Sequence, residues 1–425
     1  MCDVGYEMHE LGKRLFPICR SLTGDGVRIT LQILKEELPE LTILSVPSRT
    51  KVFDWVVPDE WNIEDAYIIG PSGNKIIDFK NSNLHVVGYS EPVDVTLKLE
   101  ELLKHIHTLP EQPTAIPYIT SYYSRYWGFC ITQEQKDKLK QGKYRAVIKS
   151  TLEPGELNYG EVVIPGDSDK EILISTYVCH PSMANNELSG PLVTTYIVKW
   201  LKLLKSRKYT YRIVFVPETI GSIVYINKHL EHLKENVVAG FNLTCIGDER
   251  AYSYLPSKKG NTIADRAAKH ALHHLDSEFK VYTWKDRGSD ERQYCSQGVD
   301  LPIASIMRTK YGEYPEYHTS LDNFDLVTPN GLRGGFEAVK RAIDILETNE
   351  YPKMKFPCEP QLGKRGLYPQ ISTPDTKHLM ANMMDVISYC NGENSLMDIS
   401  EYLSLSFYSV RDIYSTLLEN DLLND

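Results

Sequence analysis

The sequence has no Cys-x-x-Cys pair, no apolar run long enough to cross a bilayer and no excess of positive charge. Each absence narrows the reading. Eight cysteines (Cys2, Cys19, Cys130, Cys179, Cys245, Cys295, Cys358, Cys390) are scattered over 425 residues. That pattern excludes a zinc knuckle and reads as reduced thiols rather than a disulfide framework. Without a stretch of ~18 apolar residues there is no candidate transmembrane helix, so no membrane partner is expected. The polar start, Met1 to Glu10, lacks the apolar core of an export signal, and a cytoplasmic protein is expected. A formal net charge of −10 leaves no field to gather nucleic acid or anionic lipid. Internal repeats and low-complexity segments are also missing.

What is present is the balance of a folded chain, 42% apolar and 24% charged. Its length points to two or three domains. Residues 7–37 carry helical spacing on both sides of Ser21-Leu22-Thr23-Gly24-Asp25-Gly26. Between Leu41 and Gly128, short runs such as Leu41–Val46, Ala66–Ile69, Lys75–Asp78 and Leu84–Val87 alternate with turn residues, the pattern of a β-rich unit. Trp55, Trp61, Tyr118, Tyr122, Tyr123, Tyr126 and Trp127 make it aromatic; most of these read as its core, with a roof over a neighbouring site as the functional alternative. From Tyr144 to Glu347, strands such as Ile172–Val178 and Arg212–Val216 are each followed by helices near 192–204 and 222–232. This predicts an α/β fold, a mainly parallel sheet with helices on both faces.

The expected domains are an α/β domain of residues 1–40 and 130–350, an inserted β-rich domain over 41–129, a linker over 351–374 and a winged-helix-like module over 375–425. In the module Ser395-x-x-Asp398 reads as a capping box. From Asp375 to Asp425 there are nine acidic residues against Lys377 and Arg411. A duplex-binding helix needs several cations for phosphates, so no nucleic-acid partner is expected.

Parallel sheets carry their chemistry at the carboxyl ends of strands, and three polar clusters follow such ends. The first runs from Thr176 to Gly190 and contains His180, Asn185, Asn186 and Glu187. A neutral imidazole leaving a strand is a common metal ligand, although a lone histidine is more often a hydrogen-bonded structural one. The second is Val216-Pro217-Glu218-Thr219-Ile220-Gly221-Ser222. Glu218 reads equally as a general base or as an anion at a helix N-terminus. The third, Gly312 to Asp325, holds His318 as a possible second imidazole ligand, with Asp322 or Asp325 orienting its neighbours. On its own it also reads as a solvated acidic loop.

These clusters, with Leu15-Phe16-Pro17-Ile18-Cys19-Arg20-Ser21-Leu22-Thr23-Gly24, Thr50-Lys51-Val52-Phe53-Asp54-Trp55, Ser82-Asn83-Leu84-His85-Val86-Val87-Gly88-Tyr89 and Asp290-Glu291-Arg292-Gln293-Tyr294-Cys295, give the chain a clear likeness. It resembles the zinc aminopeptidase family that includes glutaminyl cyclases. Within that family it is similar to the aminopeptidase-like branch of polysaccharide-biosynthesis loci, which carries an inserted β domain and a C-terminal winged helix. The resemblance implies that His180 is the first histidine ligand, His318 the last, and Glu218 the general base. It places Asn186 where an aspartate bridges two zinc ions, and Ser289-Asp290 as a supporting pair. It also exposes departures: Thr219 and Thr244 stand where two further carboxylate ligands are usual. With three of the five metal-binding positions lacking their carboxylate, two close cations would repel without compensation. One zinc ion is therefore expected, on His180, His318 and an oxygen ligand, with a fourth position open. Asn186 supplies that oxygen, with Glu187 or Asp248 as alternatives.

The implied activity is zinc-dependent hydrolysis of an amide bond, in a peptide N-terminus or an acyl-amide of a modified sugar. The partner is then a peptide or amide-containing small molecule, with Arg20, Arg125 or Arg292 available for an acidic group. The alternatives are a non-catalytic binding or scaffold protein that retains the fold, and a transcription regulator acting through the C-terminal module.

Overall fold

The computed structural model describes residues 3–367 and 374–424. They fall into two compact units, Met1–Asp265 with Phe279–Val339, and Arg266–Glu278 with Lys340–Asp425.

The first unit is built on an eight-stranded sheet. Its spatial order is Thr42–Pro47, Glu156–Ile164, Tyr209–Val216, Ser168–Tyr177, Val237–Leu243, Ile303–Met307, Ser253–Leu255 and Lys280–Val281. The middle four strands are mutually parallel, and the strands flanking them run antiparallel. Ile172, Leu173 and Ile174 are fully buried, as are Ile213, Val214 and Phe215. These continuous apolar runs require cover on both faces. The helices Ser189–Leu203 and Ile220–Asn236 pack against the sheet.

A smaller antiparallel sheet takes Lys75–Asp78, Glu60–Ile69, Lys143–Glu153 and Val93–Lys98, in that order. It draws strands from both sides of residue 129, while Thr42–Pro47 pairs with the edge of the large sheet. Leu84–Val87 is not a strand: Asn83–His85 forms a 3-10 turn. Leu84 and Val87 are apolar because they pack with Ile116, Cys130 and Met183 in a buried cluster.

The second unit contains the helices Pro374–Tyr389, Leu396–Leu403 and Phe407–Glu419. The Ser395–Asp398 capping box is formed in both directions. Lys353 and Met354 bridge to Asn391 and Leu423, so the start of the expected linker is paired to the module; residues 368–373 of that linker lie outside the described residues. Among the described residues no helix is long and apolar enough to cross a membrane.

Candidate metal centre

In the large sheet Tyr177 pairs with Val216, so two parallel strands end at the same level. His180 and Glu218 leave those ends together. The Glu218 N–H donates to Cys179 Sγ at 3.2 Å, and Glu218 Oε2 lies 3.7 Å from His180 Nε2. His318 arrives from a loop far along the chain, and its ring centroid is 5.6 Å from that of His180. The fold therefore brings both imidazoles and the acid into one place.

His318 is fixed by the segment before it in space, not in sequence. The Tyr118 N–H donates to the His318 carbonyl at 2.8 Å, and the Ser320 N–H donates to the Ile116 carbonyl at 2.9 Å. The imidazole stacks on Tyr317 at 3.9 Å. Tyr118 flanks both rings, 5.1 Å from His180 and 5.2 Å from His318, and its hydroxyl meets that of Tyr122 at 2.9 Å. The inserted segment thus contributes a wall of the site. Sequence reasoning did not single out these two tyrosines, because nothing local distinguishes them from their aromatic neighbours.

The orientation of His180 comes from Glu187. Residues Ala184–Leu188 form a π-helical turn, a feature frequent at functional sites. From it, Glu187 Oε2 meets His180 Nδ1 at 2.8 Å. That contact leaves Nε2 facing Glu218. Burial, with the Arg20 charge, pushes the His180 imidazole down to about 3, and burial pushes Glu187 up to about 8. The imidazole is therefore neutral, as a ligand must be. Arg20, fully buried, donates to the His180 carbonyl at 2.9 Å and lies 3.5 Å from Glu187 Oε1. Cys179, His180 and Glu187 could between them span an ion. Two facts oppose it: burial keeps the Cys179 thiol protonated, and the Arg20 guanidinium adjoins the acid. Glu187 is thus placed as the hydrogen-bond partner of His180.

Asn186 lies at the same turn. Its amide nitrogen donates to the Tyr177 hydroxyl at 2.7 Å, and its Oδ1 is buried without a hydrogen-bond partner. Tyr177 in turn is 5.3 Å from the His180 ring. Asp322 accepts the N–H groups of Asn185 and Asn186 at 2.6 and 3.0 Å and the Tyr314 hydroxyl at 2.9 Å. Asp290 accepts the Thr219 N–H at 2.7 Å and the Ser222 hydroxyl at 2.8 Å, fixing the turn after Glu218. Thr219, Ser182 and His318 all adopt positive φ, at 64°, 36° and 56°. Non-glycine residues hold such values where neighbours over-determine them, commonly around functional sites.

The missing carboxylates are not recovered from nearby. The Thr219 hydroxyl accepts from Arg292 at 2.8 Å, and that of Thr244 meets Tyr177 at 2.6 Å. Asp248 is not a spare acid, because Thr309 N, Thr309 Oγ1 and Asn185 Nδ2 bind it at 2.8, 2.6 and 3.0 Å. Burial, reinforced by the His180 ring, pushes His318 down to about 3. Although 22% of the Glu218 side chain is exposed, burial and the charge of Asp290 push its carboxyl up to about 8. Two neutral imidazoles, an unpartnered amide oxygen and an acid wanting a cation fit one metal ion.

Residues 9–349 match the profile of a family described as a domain of unknown function (DUF4910), and residues 349–425 match a winged helix-turn-helix family. A Clostridium acetobutylicum protein, provisionally named as a polysaccharide biosynthesis protein with an aminopeptidase-like domain, is 44% identical over 423 residues, covering 99% of this chain and 96% of its own. The chain belongs to this aminopeptidase-like family. A solved structure from Clostridium acetobutylicum, provisionally named as a peptidase, has a TM-score of 0.93 at 43% identity, covering 99% of this chain and 96% of that one. A zinc aminopeptidase from Bacillus subtilis shares the fold at TM-score 0.59 and 12% identity, over 80% of this chain and 93% of that one. The expected likeness to aminopeptidases and the C-terminal winged helix are both found. The aminopeptidase-like fold places the polar clusters where the sheet ends.

Proposed function

We propose that this aminopeptidase-like protein is a hydrolase of an amide bond, using one zinc ion held by His180, His318 and the Asn186 amide oxygen. The observation that carries this is the meeting of two neutral imidazoles with Glu218, 3.7 Å from His180 Nε2, beside the unpartnered Asn186 Oδ1. Zinc bound there supplies a Lewis acid that polarises a carbonyl and acidifies water. Glu218 takes a proton from the attacking water as its oxygen bonds to the carbonyl carbon. The C–N bond then breaks, and Glu218 passes that proton to the departing nitrogen. A cation beside Glu218 favours its carboxylate form, offsetting burial. Glu187 holds the His180 ring, Asp322 the turn that carries Asn186, and Asp290 the turn after Glu218. The amide belongs to a peptide N-terminus or to an acylated amino sugar; the name of the Clostridium relative, which pairs polysaccharide biosynthesis with an aminopeptidase-like domain, is compatible with both.

The test is Glu218→Gln assayed on aminoacyl p-nitroanilides and N-acetylated amino sugars. Loss of turnover by roughly 100- to 10,000-fold with zinc content retained is expected; undiminished turnover removes Glu218 from the mechanism. A binding protein that keeps only the fold is favoured by Asn186, Thr219 and Thr244 at carboxylate positions. Metal analysis showing no zinc in carefully purified protein supports that reading instead. For the C-terminal module we propose a protein-contacting rather than DNA-binding role, since Arg411 is engaged with Asp344 at 2.7 Å. A gel shift at low salt tests it.

A further inference from the structure

Of the three arginines that the sequence offers for an acidic group, the structure sets one apart. Arg20 is fully buried and donates to the carbonyls of His180 and Leu15, at 2.9 and 2.8 Å. Arg125 is paired with Glu91 at 3.1 Å. Arg292 is exposed, and its Nη2 donates to the Thr219 hydroxyl at 2.8 Å. Among the described residues no carboxylate oxygen lies within 4.0 Å of it. A guanidinium offers five N–H donors in a rigid fork, and among the described residues this one hydroxyl is the hydrogen-bond partner found for it.

Its anchor is unusual. Thr219 directly follows Glu218 and stands where the zinc aminopeptidases it resembles carry a further metal-binding carboxylate. Its φ of 64° is held by the bond from its N–H to Asp290. The backbone that carries the receiving hydroxyl is thus held at the site. Asp290 and Glu218 both feel the guanidinium charge. In place of a ligand for a second cation, the chain presents a permanent cation of its own.

We infer that Arg292 is the specificity-determining residue of the site and that the substrate carries an oxyanionic group, a carboxylate or a phosphate, beside the scissile amide. This rests on the hydrolase reading above. The planar fork suits either oxyanion bidentately, and a positively charged group at the same place is repelled. The chain's overall charge of −10 repels anions at long range. Recognition is therefore a short-range property of this one guanidinium.

The test is a ligand-observed NMR titration of the full chain with N-acetylglycine, its neutral counterpart N-acetylglycinamide, and inorganic phosphate. The wild type binds the acid about tenfold more tightly than the amide, a difference of about 1.4 kcal/mol. Arg292→Ala makes the two equal, Arg292→Lys keeps part of the preference, and Arg292→Glu reverses it. An unchanged melting temperature shows that these exposed substitutions leave the fold intact. Phosphate that displaces the acid from wild type but not from Arg292→Ala extends the class to phosphates; phosphate without effect narrows it to carboxylates. Equal binding of acid and amide to the wild type, or a preference that survives Arg292→Ala, overturns the proposal. Because binding is read without turnover, its failure is distinct from that of the hydrolase reading, which fails when the zinc-loaded protein cleaves no amide.

Discussion

The strands Ser168–Tyr177 and Tyr209–Val216 carry charged clusters at both ends, and the two clusters are built differently. Near their start, Arg212 donates to both oxygens of Glu171, at 2.7 and 2.9 Å, and to Glu161 at 2.7 Å; His232 meets Glu171 at 2.8 Å. Burial opposes ionisation of Glu171, but the bonds from Arg212 and His232 win and hold its carboxyl below the ordinary range. Beyond their finish, burial foremost pushes Glu218 and Glu187 up to about 8, Asp290 to about 7 and Asp322 to about 6. Their hydrogen bonds come mainly from amides, hydroxyls and an imidazole. One end has closed its electrostatics internally; at the other, Arg20 and Arg292 do not offset the burial of four acids. Carboxyl groups raised together in this way mark the candidate functional end of the sheet.

Breaking the closed end has the largest effect on stability. Arg212→Met leaves the buried Glu171 with only His232, and Glu161 without its cation, and destabilises by roughly 3–5 kcal/mol in urea unfolding. A cost below 1 kcal/mol would erase the contrast. At the open end the loss is in affinity rather than folding. Glu187→Gln weakens zinc binding by roughly 10- to 100-fold in a chelator competition, because the His180 ring loses the carboxylate that orients it. The smallest effect is in pH. Between pH 6.5 and 8, metal-free folded protein still holds protons on Glu218 and Glu187 that the unfolded chain has released, so stability falls as pH rises. His180 and His318, pushed down to about 3, act in the opposite sense only below their ordinary value of 6.5. Glu218→Gln flattens the fall by on the order of 1 kcal/mol in calorimetry. A melting temperature that rises across this window contradicts the raised carboxyl values.

The α/β architecture was legible because buried parallel strands announce themselves as continuous apolar runs. His180 and Glu218 were legible because each follows such a run directly. Leu84–Val87 misled for the same reason: burial makes a segment apolar whether or not it is a strand. Glu187 was noticed as a candidate oxygen ligand, but its 2.8 Å contact with Nδ1 of His180, made from a π-helical turn, was not legible, since helical periodicity does not announce such a turn. The parts played by Arg20, Tyr118 and Tyr122 depend on packing between segments far apart in sequence, which periodicity does not encode. Asp248 looked available only because its partners, Thr309 and Asn185, come from other loops.

The backbone pairing of residues 116–118 with 318–320 has a consequence for how the protein matures. Both stretches must be synthesised, and a loop of about two hundred residues closed between them, before His318 reaches its place. Closure of so large a loop comes late in folding and slows it. The two imidazoles of the proposed metal site therefore meet only after this loop has closed, so under that proposal an ion would bind a site already assembled.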